Sequence, residues 1–216
     1  MQSKTHWEAV YTTKSVERVS WYQPHADKSM DLIGASALPR TAHIVDVGGG
    51  ASTLVDDLLA DGYSQLTVLD LSAAALAESQ RRLGPLAERV QWTVADITMA
   101  EFTPHSVDLW HDRAVFHFLT TAEERAAYVR QVLRAVKPGG HVIVATFGAN
   151  GPLQCSGLPV MRYEADGLHA EFGEAFALLS HDEQVHHTPF GTDQQFIYCM
   201  CRLLRGSGPR GCDTAV

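Results

Sequence analysis

The residues best placed to do chemistry are three acids and a run of glycines. Asp46 is followed directly by Gly48, Gly49 and Gly50, Asp70 stands twenty residues beyond Gly50, and Asp96 follows a third apolar run. Glycines that close an apolar strand allow a tight turn and let the backbone come near a bound molecule. An acid at the end of the next strand, at this spacing, is placed to accept hydrogen bonds from both hydroxyls of a ribose. The pattern describes a cradle for a nucleoside-bearing cofactor, with a bare glycine turn as the bland alternative.

One residue separates the possible cofactors. A dinucleotide fingerprint opening at Gly48 needs a third glycine where Thr53 stands, so that helix and strand can close around a pyrophosphate. Thr53 weakens a nicotinamide reading. A ligand with a ribose but no phosphates fits better, and S-adenosyl-L-methionine is such a ligand. The segment Asp46-Val-Gly-Gly-Gly50 followed by Asp70 resembles the first two motifs of the class I S-adenosylmethionine-dependent methyltransferases. The resemblance implies cofactor contacts at Asp46, Gly48, Gly50, Asp70 and the adjacent Leu71. It also implies an adenine site at Asp96-Ile97, the acid accepting from the exocyclic amine and Ile97 packing on the ring; a turn or helix-capping aspartate is the alternative there.

Composition bounds the partners. A net charge of -8 without a long Lys/Arg run argues against non-specific nucleic-acid binding, which needs clustered cations. No apolar run is long enough to cross a bilayer, and the start has no basic segment leading into an apolar one. The expected location is cytoplasmic, with no membrane partner. Cys155, Cys199, Cys201 and Cys212 lack paired C-x-x-C spacing, and His186-His187 would face opposite sides of a strand, so neither a disulfide framework nor a metal site is expected. Nothing in the sequence sets the oligomeric state.

The elements that must position these residues alternate. Strand-like runs at 42–47, 66–70, 90–94, 107–111 and 141–146 are separated mostly by helix-like segments at 53–61, 73–83 and 121–136. Such alternation predicts an α/β fold with a doubly wound, Rossmann-like, mostly parallel sheet. Val136-Lys-Pro-Gly-Gly140 reads as a helix stop before the fifth strand. Phe176–Ser180 and Phe196–Met200 lie close enough to form an antiparallel C-terminal hairpin. The expected organisation is an N-terminal helical arm or lid over 1–40, the cofactor-binding domain over 41–205, and a flexible tail over 206–216.

The carboxyl ends of the strands should hold the ligand. There Asp112, with Arg113, is a candidate for the methionine end of the cofactor, an Asp–Arg ion pair being the alternative. Trp21, in an arm that also carries Trp7 and Tyr11, is a candidate for covering the site and excluding water. His117, Cys155, Arg162 and Tyr163 are substrate candidates, the last three from the glycine- and proline-punctuated loop 151–163. The arm, Gly62-Tyr63 and the 108–118 segment resemble the branch containing the elongation-factor and citrate-synthase lysine methyltransferases, over roughly residues 7 to 147. The chain departs from that branch at Asp112-Arg113, where Asp-Lys-Gly is common, and after the fifth strand. The short chain beyond that strand favours a small-molecule methyl acceptor; a protein lysine and a non-catalytic cofactor-binding role are the alternatives. No catalytic base is assigned from sequence.

Overall fold

A computed structural model describes residues 4–206. Cys212 and the tail expected over 206–216, Gly206 apart, lie outside the described residues.

Five parallel strands form the cofactor side of the sheet: β1 (His43–Val47), β2 (Gln65–Asp70), β3 (Val90–Val94), β4 (Val107–Arg113) and β5 (Val136–Phe147). A small antiparallel pair, β6 (Gln154–Cys155) and β7 (Leu158–Pro159), follows them, and β8 (Phe176–His187) and β9 (Asp193–Leu203) complete the large sheet. Its order is β3-β2-β1-β4-β5-β9-β8, with β9 antiparallel to both neighbours. The order reverses between β1 and β4, which opens a crevice beyond their carboxyl ends. The doubly wound sheet with an antiparallel terminal pair agrees with the sequence reading.

Helices α1 (Lys4–Thr13) and α2 (Asp27–Ala35) precede β1; α3 (Leu54–Ala60), α4 (Ala73–Leu83), α5 (Ala122–Ala135) and α6 (Ala165–Phe172) follow in the chain. Two apolar clusters cover the faces of the sheet. One gathers Trp110, Tyr128, Val132, Leu168 and Phe172; the other gathers Ile33, Leu54, Leu58, Leu66 and Phe147. Burial of apolar strands on both faces is what the near-continuous hydrophobic runs of β1 and β2 require.

The terminal strands extend beyond their expected bounds. Residues 180–183 of β8 are exposed and polar on the outer edge of the sheet, so the apolar signal of that strand is confined mostly to its start. The predicted stop at 136–140 does end α5 at Ala135, but the chain enters β5 at once, and Gly139 takes a left-handed φ of 87° within it.

Candidate functional site

The turn after β1 is built around its missing side chains. Gly48 has a φ of 67°, and a Cβ there would overlap the Val115 side chain; a Cβ on Gly49 would overlap Asp46 Oδ2. At Gly50, with a φ of 30°, a Cβ would stand 2.6 Å from Asp70 Oδ2. The three glycines therefore let the backbone fold down onto the two acids that flank it.

Beyond the turn lies a cavity of about 140 Å³. Gly48, Asp70, Leu71, Asp96 and Ile97 line it from the strand ends, and Trp7, Tyr11, Trp21, Phe118 and Cys155 line it from above. A smaller cavity of about 50 Å³ shares Gly48, Tyr11, Trp21 and Arg113 with the first and is also bordered by Asp46, Ser29 and His111.

Charge is distributed unevenly along these walls. Burial, helped by the charges of Asp46 and Glu8 and opposed by hydrogen bonds from Ser72 and Leu71, pushes the Asp70 carboxyl up to about 7. The Asp70 Oδ1 accepts from the Ser72 amide at 2.8 Å. Asp96 Oδ1 accepts from the amide and hydroxyl of Thr98 at 2.9 and 2.7 Å, a local turn that fixes its carboxylate at the cavity wall. Asp46 Oδ1 is bonded to His111 Nδ1 at 2.7 Å, while Asp46 Oδ2 is buried with no hydrogen-bond partner among the described residues. Arg113 donates from Nε to Tyr198 at 3.0 Å and from Nη1 to the Trp21 carbonyl at 3.1 Å, and its Nη2 is likewise buried and unpartnered.

The roof is an aromatic layer held by the arm. Trp7 meets Trp21 and Phe118 edge to face at centroid distances of 5.7 and 5.3 Å, and the Trp21 indole donates to the Tyr11 hydroxyl at 3.2 Å. Three successive stretches of arm backbone are fastened to the domain: His186 bonds the Ser20 carbonyl, Arg113 the Trp21 carbonyl and Thr53 the Gln23 carbonyl. The Glu8 carboxylate accepts from the amides of Ala73 and Ala74 at 2.7 and 3.1 Å, at the amino end of α4. Burial raises the Glu8 carboxyl, but the two amides, joined by Ser72 and Lys4, outweigh it and hold the group below its ordinary range. An acid at a helix amino end is stabilised by orphan N–H groups and the helix dipole. His6 of α1 also reaches Ser156 in the β6–β7 hairpin at 3.3 Å.

Several predicted site residues turn away from the cavities. Along β4, side chains alternate, so His111 and Arg113 face the crevice side while Trp110 and Asp112 face the opposite core. Asp112 is fully buried, accepts from Tyr128 at 2.7 Å and from the Val115 amide at 2.9 Å, and is raised to about 6 by burial against those bonds. It braces the turn after β4 and borders neither cavity. His117 is fully buried, its Nδ1 accepting from the Phe147 amide at 3.3 Å, and burial, with the charge of Arg113, lowers it to about 3. It is a neutral core histidine. Arg162 donates to the carbonyls of Ala149 and Gly151, and Tyr163 packs in the core beside Phe116, so both shape the loop from within. Gly50 borders neither cavity; it makes room for Asp70 and Ala75. Cys155 does border the larger cavity, with its thiol raised by burial to about 12 and hence protonated.

Sequence reasoning did not single out Ser29, His111 or Glu8. Strand register sets His111 directly across from Asp46, and the packing of α2 brings Ser29 to the far nitrogen of the ring; neither is visible to local spacing. Glu8 carried a usable signal: an acid in an arm next to a helix whose own cap, Ser72, satisfies only the Ala75 amide among the first-turn donors.

A family model described as a methyltransferase domain matches residues 44–140, the stretch that supplies β1 through the start of β5. Over that stretch, a little under half of the chain, it is similar to the class I S-adenosylmethionine-dependent methyltransferases. It is 32% identical over 107 residues to the ubiquinone biosynthesis O-methyltransferase of Alkalilimnicola ehrlichii, covering 50% of this chain and 42% of that one. With the eEF1A lysine and N-terminal methyltransferase of Mus musculus it shares 23% over 141 residues, covering 65% of this chain and 20% of the other. The chain therefore spans less than half the length of both curated relatives. A structure solved for the conversion of a disulfide bond into a thioacetal group during echinomycin biosynthesis superposes with a TM-score of 0.75 at 20% identity, covering 95% of this chain and 94% of that one. That likeness extends the shared fold over the arm and the terminal strands.

The residues present suit the family's cofactor. Asp46 and Arg113 border the smaller cavity, and each carries a buried polar atom without a partner among the described residues, an acceptor at Oδ2 and a donor at Nη2, which is the complement an amino-acid zwitterion requires. The carboxylates of Asp70 and Asp96 and the apolar Leu71 and Ile97 border the larger one, which is the complement of an adenosyl group.

Among the described residues no helix is long and apolar enough to cross a membrane.

Proposed function

We propose that the chain transfers a methyl group from S-adenosylmethionine to a small-molecule acceptor. The observation that carries this reading is the larger cavity, which joins the glycine turn, Asp70 and Asp96-Ile97 to an aromatic roof within one enclosure. In this assignment Asp70 accepts from the ribose hydroxyls, Asp96 from the adenine amine, and Leu71 and Ile97 flank the ring. Asp46 and Arg113 take the ammonium and carboxylate of the amino-acid end, replacing Asp112, whose oxygens are already bonded within the fold. When bound, the sulfonium supplies a methyl group already activated for in-line displacement.

The task left to the chain is to orient the acceptor and keep water out. Trp7, Tyr11, Trp21 and Phe118 supply the apolar cover, and residues up to 40 act as the lid. Cys155, under that cover, is assigned to the acceptor's surroundings. Its protonated thiol offers a polarisable contact rather than a nucleophile. The aromatic cover packed over the cavity from the arm supports a small acceptor.

Isothermal titration with S-adenosylmethionine and S-adenosylhomocysteine, followed by tritiated methyl transfer onto a metabolite extract and a proteome extract, tests the reading. Label in the metabolite fraction is the expected outcome. Label confined to protein would overturn the small-molecule acceptor, and binding without transfer to either extract would indicate a non-catalytic cofactor-binding role.

A further inference from the structure

Ser29 of α2, His111 of β4 and Asp46 of β1 form a buried line behind the glycine turn. Ser29 Oγ lies 2.9 Å from His111 Nε2, and His111 Nδ1 lies 2.7 Å from Asp46 Oδ1. The three residues are 1%, 2% and 4% exposed. A nitrogen lone pair cannot face a carboxylate oxygen at this distance without repulsion, so Nδ1 carries a proton and donates it to Asp46. Nε2 is then left to accept from the Ser29 hydroxyl. The line ends on Asp46, which borders the smaller cavity and whose Oδ2 is buried without a partner among the described residues.

Two physical problems are solved by this arrangement. A buried carboxylate needs a donor, and the Nδ1–H bond supplies one to Asp46 Oδ1 and fixes its orientation. A lone histidine could also turn its ring, and the Ser29 bond at the far nitrogen fixes it, as second partners fix the ring of a ligating histidine. We propose that Ser29 and His111 are positioning residues that keep the Asp46 carboxylate aimed, so that the site selects adenosyl ligands bearing an α-amino group over those lacking one. The inference rests on the cofactor reading above and deepens it.

The test compares two ligands by titration calorimetry: S-adenosylhomocysteine, and 5′-methylthioadenosine, which keeps the adenosyl thioether but has no amino-acid end. For His111→Leu, affinity for S-adenosylhomocysteine is expected to fall about tenfold to a hundredfold, the range for stranding a buried polar group, while affinity for methylthioadenosine stays within about twofold. His111→Asn, whose amide N–H can occupy the place of Nδ1–H, should recover most of the loss. Ser29→Ala, which leaves the Nδ1 donor in place, should show a smaller loss of the same selective kind and keeps the test open if His111→Leu does not fold. Nitrogen-15 spectra of the parent chain should show a proton on Nδ1 of His111. Equal losses for both ligands would make the line a purely structural network, and a neutral ring protonated on Nε2 would overturn the assignment outright. If the parent binds neither ligand, the cofactor reading falls and the relay with it. That outcome is distinct because the parent, not the variant, is then silent.

Discussion

The turn after β1 and the loop from 151 to 163 both follow strands of the parallel set, yet they treat their polar groups in opposite ways. In the turn, the backbone collapses onto Asp46 and Asp70, and an oxygen of Asp46 is left without a partner at a cavity wall. In the loop, Arg162 spends its guanidinium on two carbonyls, the Tyr163 amide donates to the Phe147 carbonyl, and the Tyr163 ring lies in the core. Both stretches have the composition of a binding loop. The unpartnered oxygen of the first belongs to a residue that borders a cavity, whereas the unpartnered Tyr163 hydroxyl of the second lies in the core away from both cavities; unspent capacity beside a cavity is the better mark of a site, because burying it empty is unfavourable.

The sharpest way to break the contrast is to fill the turn. Gly50→Val places side-chain atoms where Asp70 Oδ2 and Ala75 already stand and adds a disfavoured left-handed residue. A stability loss of roughly 2–4 kcal/mol is expected from overpacking and backbone strain together, read from urea denaturation, with cofactor binding lost. A parental midpoint would show that the turn has room to spare.

Asp70→Asn should separate binding from stability. S-adenosylhomocysteine should bind about 1–3 kcal/mol more weakly in titration, since the ribose hydroxyls lose an ionised acceptor. The fold should respond the other way. An acid held at about 7 in the folded chain, against an ordinary 3.8, favours the folded state most below pH 4, and that contribution is lost as pH rises to about 7. The neutral variant escapes that loss, so its melting temperature at pH 8 should equal or exceed the parent's. In the parent, cofactor affinity should weaken as pH falls below about 7, by up to about tenfold per unit. A flat profile between pH 5.5 and 8 would remove Asp70 from the cofactor site.

A gentler probe is Glu8→Gln, which keeps the shape of the clamp on α4 but not its charge. Amide exchange over residues 4–23 should quicken in the free chain while exchange in β1 and β4 stays unchanged. Uniform exchange across both regions would mean that the arm and the sheet open as one unit.

The loop variants should do least. Arg162→Ala is expected to lower stability by about 1 kcal/mol, through two lost hydrogen bonds, and Tyr163→Phe by less than about 0.5 kcal/mol, since its buried hydroxyl has no partner among the described residues. Neither should alter cofactor affinity. A selective loss of methyl transfer in either variant would return the loop to the acceptor site and erase the contrast with the turn.

Much of this molecule was legible before its coordinates. The glycine run, the acid at the end of the second strand and the alternation of elements are local patterns, and local patterns survive in a single sequence. What local spacing leaves open lies along β4. Asp112 and His111 are adjacent, and the choice between them depends on which side of the strand faces the crevice, a matter of register with β1 rather than of composition. The loop is ambiguous for a different cause: glycine, proline and arginine together suit a pocket wall and a self-bonded loop equally well. The polar half of β8 was missed because an edge strand needs hydrogen bonds on only one side and little apolar surface.

The hydrogen bonds from Ala73 and Ala74 to Glu8 span 65 and 66 residues of chain. During synthesis α1 is made early, and its Trp7 and Tyr11 can meet Trp21 soon afterwards, but the partners of Glu8 exist only once β1, β2 and the start of α4 have been made. The cover of the crevice is thus tied down by contacts far apart in sequence, the kind whose loop-closure cost slows their formation.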